Sequence, residues 1–266
     1  MLNRRAFLAG GLALAASPLR TPARAQPADP SVAAQAFIDA YPQAIVGYAN
    51  GDLVFASGAR VALDDGRDKD FDRRLENADP QDMLHDPYPW GAADDPPARN
   101  FDPGRYRCDP LFRALYGESR DAVAAQLETV TWLANTRPSP LPVHRAFDVP
   151  ARVARISAKL EALGEAFLPY LAEPAGSFNW RVIAGTDRLS AHSFAVAIDI
   201  NVNFADYWRW AGGGPDPSEY RNRIPPEIVA AFETEDFIWG GRWYHYDTMH
   251  FEYRPELRTY ADLSGR

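Results

Sequence analysis

Cysteine is almost missing. Cys108 stands alone in 266 residues, so no disulfide within the chain braces the fold, whatever the redox state around it. Lysine is nearly as scarce, with only Lys69 and Lys159 beside a large excess of Arg. Positive charge is short as a whole: 28 Lys and Arg face 36 Asp and Glu, a net charge of −8. That balance argues against a general nucleic-acid binder, because phosphate contacts need a basic excess. No run reaches the ~20 apolar residues that span a bilayer. A Gly-x-Ser-x-Gly elbow is also lacking, and with it the usual signature of a serine hydrolase. Internal repeats are absent.

What remains is an ordinary globular composition, 46% hydrophobic and 24% charged, with 23 Pro, 18 Gly and 12% aromatics pointing to many turns. The first 25 residues read separately. Asn3-Arg4-Arg5-Ala6-Phe7-Leu8 leads into a short apolar run to Ala16, and Ala23-Arg24-Ala25 forms a small-x-small cleavage site. This is the order of an export signal, and the Arg-Arg pair makes it twin-arginine-like. The expectation is a periplasmic or otherwise exported protein with no stable membrane insertion after cleavage.

Residues 26–117 are acidic and rich in Pro and aromatics. Ala44 to Ala62 reads as a small hairpin, with Ile45-Val46-Gly47-Tyr48, a turn at Asn50-Gly51, then Leu53-Val54-Phe55. Residues 79–110 read mostly as loop, expected to pack over the rest of the chain. Residues 118–266 are more regular. Val123, Leu127 and Val130 predict a helix over 118–133, and Val153, Ile156, Leu160, Leu163 and Phe167 another over 150–168, ended by Pro169. Alternating patterns predict strands over 178–184, 195–201 and 248–253, a brief one at 237–239, and a helix opening at Pro225-Pro226. The fold class is α+β, a small and mostly antiparallel sheet with flanking helices, preceded by a loop-rich N-terminal region.

Polar residues stand where an ordinary core would not place them. Asp199 lies inside the apolar run Val-Ala-Ile-Asp-Ile-Asn, and His250 lies between Met249 and Phe251. A buried carboxylate is expensive unless paired, hydrogen-bonded or bound to metal. With His192 at a strand entrance, two His and one carboxylate would leave a fourth metal position open, as catalytic zinc requires. Spacing alone favours a buried Asp satisfied by backbone N–H groups, with two surface or core His. His245 is a further candidate ligand, although a fourth protein ligand would close the site and make it structural. His85 and His144 carry no motif and are expected at the surface. Cys108 sits among Arg105, Arg107 and Asp109, where a lowered pKa or an inert structural thiol are both open.

Ser190-Ala191-His192-Ser193-Phe194-Ala195-Val196-Ala197-Ile198-Asp199 resembles the Ser-x-His-x-x-Gly-x-Ala-x-Asp motif of zinc D-alanyl-D-alanine carboxypeptidases and dipeptidases, including the vancomycin-resistance enzymes. Asp247-Thr248-Met249-His250 resembles that family's second motif, an acid, two residues, then His, with Trp239-Gly240-Gly241 before it. The resemblance covers about 178–257, and 47–107 looks like the N-terminal part of a long exported subgroup. It implies a D,D-carboxypeptidase/hedgehog-like peptidase fold and a metallopeptidase holding one Zn²⁺ on His192, Asp199 and His250. Asp247 is then the general base, expected on the loop before the last strand, since residues three apart on a strand face opposite sides. Arg188 is the first candidate for the cation that stabilises the oxyanion, and Arg181 the next; Arg105 and Arg107 are candidates for the substrate carboxylate. Ser190 either contacts substrate or caps a turn, Trp243 either lines the cleft or fills the core, and Glu252 would hold His250 from behind. The implied partner is a peptidoglycan stem peptide, with release of terminal D-Ala as the expected reaction. An endopeptidase of the same fold and a non-catalytic cell-wall-binding protein are the alternatives. The family usually has Gly where this chain has Ala195, a change that costs little at negative φ and strains the backbone at positive φ.

Overall fold

The computed structural model describes residues 29–91, 96–211, 216–217 and 219–265. The export-signal expectation for residues 1–25 lies outside the described residues. Among the described residues no helix is long and apolar enough to cross a membrane.

The N-terminal region opens with helix α1 (Pro30–Ala40), started by the Asp29 side chain accepting from Ser31 N–H and by Pro30 in its first turn. A meander follows: β1 (Ile45–Ala49), β2 (Asp52–Phe55) and β3 (Arg60–Ala62), paired antiparallel in that order with the expected turn at Asn50-Gly51. Short helices α2 (Phe71–Glu76) and α3 (Pro80–Met83) interrupt otherwise irregular chain up to α4 (Asp109–Tyr116). Charge organises this stretch. The buried Lys69 ammonium lies 3.0 Å from Asp65, 2.8 Å from Asp79 and 2.6 Å from Asp82. Three carboxylates outweigh the burial that disfavours its charge, and its pKa is raised.

The predicted helix over 118–133 is corrected. Ser119 caps only α5 (Arg120–Ala124), and the chain then turns into β4 (Leu127–Trp132). Thr129, Val130, Thr131 and Trp132 prefer extended backbone, and β5 (Ser139–His144) pairs with them along the full length. Helix α6 (Val149–Ala162) buries Val153, Ile156 and Leu160 as predicted. It stops before Gly164, and Pro169 sits in the first turn of α7 (Leu168–Leu171) instead of ending a longer helix. Residues 178–184 form no regular strand; they make one bridge, Val182 to Leu189, around the turn at 183–186.

The central sheet is small and antiparallel, ordered β6 (Ala197–Asp199), β8 (His250–Tyr253), β7 (Phe237–Trp239). Helix α8 (Pro226–Glu233) packs on β7 and on α6, and α9 (Pro255–Ser264) packs on α1. Strand alternation divides β8 into two faces. Phe251 points into the core, stacked on Phe232 at 3.8 Å and on Trp239 at 6.4 Å between ring centroids. His250 and Glu252 take the other face. One continuous apolar core runs from Ala33 and Phe37 of α1 through Phe251 to Leu257, so the N-terminal region shares its interior with the rest of the fold.

Ala195 answers the question its motif raised. Its backbone is left-handed, φ 55° and ψ 34°, and its side chain is fully buried. Left-handed backbone costs a non-Gly residue roughly 1–2 kcal/mol, of which a buried methyl returns part. Ala195→Gly is therefore expected to stabilise the protein by up to about 1 kcal/mol, raising its melting temperature by about 2–4 °C in calorimetry.

Candidate active site

Three short segments build the site. His192 sits in the single 3₁₀ turn Ala191–Phe194, whose first turn is capped by Ser190 Oγ accepting from His192 N–H. Ser190 thus caps, and it also lines the cleft beside His192. Asp199 ends β6 and stands directly across the ladder from His250, the first residue of β8. The pairing register converts a spacing of 51 residues into a contact.

The side-chain atoms form a triangle. His192 Nε2 lies 3.1 Å from Asp199 Oδ1, His250 Nδ1 lies 3.0 Å from the same oxygen, and the two ring nitrogens are 3.2 Å apart. Their outward nitrogens are occupied. His192 Nδ1 faces the Ser177 carbonyl at 3.1 Å, which must receive an N–H. His250 Nε2 faces the Glu252 carboxylate at 3.2 Å. Both rings can therefore turn a lone pair toward Asp199. Donors of a tetrahedral ion with bonds of about 2 Å lie about 3.3 Å apart, so this donor set fits zinc or a similar divalent ion. Burial disfavours a charged His250, but Asp199 and Glu252 outweigh it and push its pKa up to about 9 without metal. Asp199 is held well below the usual carboxylate range because both imidazoles outweigh its burial.

Asp247 lies before β8, as strand geometry required. Its N–H donates to the Gly240 carbonyl at 3.0 Å. A Cβ at Gly240 would stand 2.5 Å from the Asp247 carbonyl oxygen, so only glycine lets these backbones meet. Asp247 Oδ1 is buried with no hydrogen-bond partner among the described residues. Burial, reinforced by the Asp199 charge, pushes its pKa up to about 6. An unpartnered, destabilised carboxylate beside a metal-type donor set can accept a proton.

These residues line one cleft of about 350 Å³. Trp243 lines it too, with its indole N–H on the Pro103 carbonyl at 2.7 Å. Arg181 and Arg209 reach the cleft with no carboxylate partner among the described residues, in an acid-rich chain where partners are plentiful. Arg188 does not line it; its guanidinium meets Glu76 at 3.2 Å in a neighbouring cavity. Burial and the nearby Arg107 charge lower its pKa to about 10. Arg105 and Arg107 line the cleft but are pinned, Arg105 by Asp102 at 2.6 Å and Arg107 by Glu252.

Sequence reasoning missed a buried dyad. Asp102, fully buried, accepts from His245 N–H at 3.0 Å and faces His245 Nδ1 at 2.8 Å. His245 lines the cleft and stands outside the three-residue donor cluster, so it is no fourth ligand. Only its place two residues before Asp247 was visible in the sequence; nothing there pointed to Asp102. His144 is corrected from surface to core, with Nε2 on the Tyr116 carbonyl at 2.9 Å and burial lowering its pKa. Cys108 is an inert buried thiol, pushed up to about 12.

Residues 184–253 match the family model of D-alanyl-D-alanine carboxypeptidases, a segment holding His192, Asp199, Asp247 and His250. That match supports the family recognised in the two motifs, and with it peptidase activity. No curated protein and no solved structure matches the chain.

Burial disfavours the charged form of Asp102, but Arg105 and His245 outweigh it and hold its pKa below the ordinary value. The stability this supplies is present above the unfolded-state pKa near 4 and is lost as pH falls through the lower folded value. Asp102→Asn is expected to cost about 3–5 kcal/mol at neutral pH. In urea titrations repeated across pH, the deficit should shrink below pH 4.

Proposed function

We propose that this chain is an exported zinc peptidase that removes D-Ala from peptidoglycan stem peptides. One observation carries the reading: His192, Asp199 and His250 converge beside the buried, unpartnered Asp247 in a single cleft. The family match supports the peptidase class, and the twin-arginine-type N-terminus supports export to the compartment where such a substrate lies.

His192, Asp199 and His250 would hold the metal through Nε2, Oδ1 and Nδ1. When bound, such an ion polarises a carbonyl and acidifies water. Asp247 Oδ1 takes the proton from the attacking water. A carboxylate with a raised pKa suits that role near neutral pH, because it accepts the proton readily and passes it on. His245, aligned by Asp102, is the third imidazole of the cleft and returns a proton to the leaving amine. Arg209, whose guanidinium lies over the Trp208 ring at 4.9 Å and has no carboxylate partner among the described residues, meets a carboxylate of the peptide. Arg181 replaces Arg188 as the cation best placed for the oxyanion, since it lines the cleft and Arg188 does not.

Purified protein is expected to contain about one zinc per chain by elemental mass spectrometry, with the metal lost in His192→Ala. Asp247→Asn should keep the metal and lose about 10²–10⁴-fold in kcat. Defined muropeptides identify the bond: free D-Ala marks the carboxypeptidase, whereas loss of cross-linked dimers would move the assignment to an endopeptidase. Full hydrolysis by Asp247→Asn would remove that residue from the mechanism. Wild-type protein that takes up no zinc would leave a cell-wall-binding protein as the better reading.

A further inference from the structure

Glu252 is the buried hinge between the metal-type site and the N-terminal region. Its carboxylate is fully buried, and an ionised carboxylate there persists only if compensated. Arg107 supplies the main compensation. Nε lies 2.8 Å from Oε1 and 3.0 Å from Oε2, and Nη2 closes a fork on Oε2. Arg254 reaches Oε1 only at 3.5 Å and is otherwise engaged with Glu256 and the carbonyls of Gly104 and Tyr106. The Oε2 that Arg107 clamps is the same atom that faces His250 Nε2 at 3.2 Å.

Arg107 is itself fixed. Its guanidinium lies over the Trp243 ring at 5.9 Å, and Nη1 donates to the Arg105 carbonyl at 3.4 Å. The segment leading to it is seated at Gly104, φ 82°, where a Cβ would stand 2.4 Å from Ile238 and 2.9 Å from Leu257. A side chain at that position would strain the left-handed backbone and push aside the ends of the Ile238 and Leu257 side chains.

From this chain of contacts we infer that Arg107 is a positioning residue for the metal site: through its fork on Glu252 it sets the carboxylate plane that orients His250 Nδ1 toward Asp199 and His192. The inference rests on the reading that His192, Asp199 and His250 bind a divalent ion. It gives the loop-rich N-terminal region a part in metal binding, and it removes Arg107 from substrate-carboxylate recognition, because its fork is already filled. Partners behind a ligating imidazole are worth about 10–100-fold in metal affinity.

The test measures zinc affinity of the full chain by competition with a chromophoric chelator, beside the melting temperature of the metal-free protein. Arg107→Gln is expected to weaken zinc binding about 10–100-fold while the metal-free protein stays folded. Arg107→Lys keeps the charge but not the planar fork and should recover only part of the loss. The double variant Arg107→Gln/Glu252→Gln leaves no buried charge uncompensated by Arg107, so it guards against simple unfolding; its affinity should also stay low. Wild-type zinc affinity in folded Arg107→Gln, or in the folded double variant, would overturn the inference alone. No zinc binding by the wild type would overturn the metal-site reading and the inference with it.

Discussion

A fully buried carboxylate must be compensated, and in this protein that constraint falls on Glu252. It lies two residues from a candidate metal ligand, on the same sheet face that carries the site. Its compensation comes from Arg254, two residues on, and from Arg107, 145 residues upstream. Glu252 therefore couples the candidate ligand His250 to a segment that otherwise lacks regular structure. The carbonyls of Gly104 and Tyr106 serve Arg254, Pro103 serves Trp243, and Phe101 accepts from the Tyr244 N–H. The stretch around 101–107 is ordered by polar contacts to residues 243–254 more than by a ladder of its own.

The same economy appears across the site. Two imidazoles, each anchored from behind by an acceptor, aim at one carboxylate, and the Oδ1 of a second, Asp247, has no hydrogen-bond partner among the described residues. Metal-type chemistry needs both conditions: donors that are already oriented, and a base that solvation has not satisfied. The register of β6 on β8 accomplishes the first by placing Asp199 opposite His250. The close approach of Gly240 to the Asp247 backbone accomplishes the second, because it draws Asp247 inward ahead of the strand.

Part of this was legible in the sequence. The resemblance of two ordered motifs to the D-alanyl-D-alanine carboxypeptidases named His192, Asp199, Asp247 and His250, and strand alternation placed Asp247 outside β8. The hairpin at Asn50-Gly51 and the apolar stripe of α6 followed from turn chemistry and periodicity. The failures share a cause. Val123, Leu127 and Val130 share a helical period, but the pair buried in β4 is Val130 and Trp132, two apart, and pairing with β5 decided for the strand. His144 has no motif because its role is a buried contact with Tyr116. Arg188 matched a local pattern, but Glu76 and the shape of the adjoining cavity hold it elsewhere.

The local chemistry of the site was determined by the sequence, because ligand types, their spacing and the strand period act over a few residues. Which distant partners satisfy those residues was decided only by the tertiary structure. Asp102 beneath His245 and Arg107 beneath Glu252 are joined across more than 140 residues. Such pairs leave no periodic trace; they exist because each buried charge must find its complement, and only the folded chain brings that complement within hydrogen-bond reach.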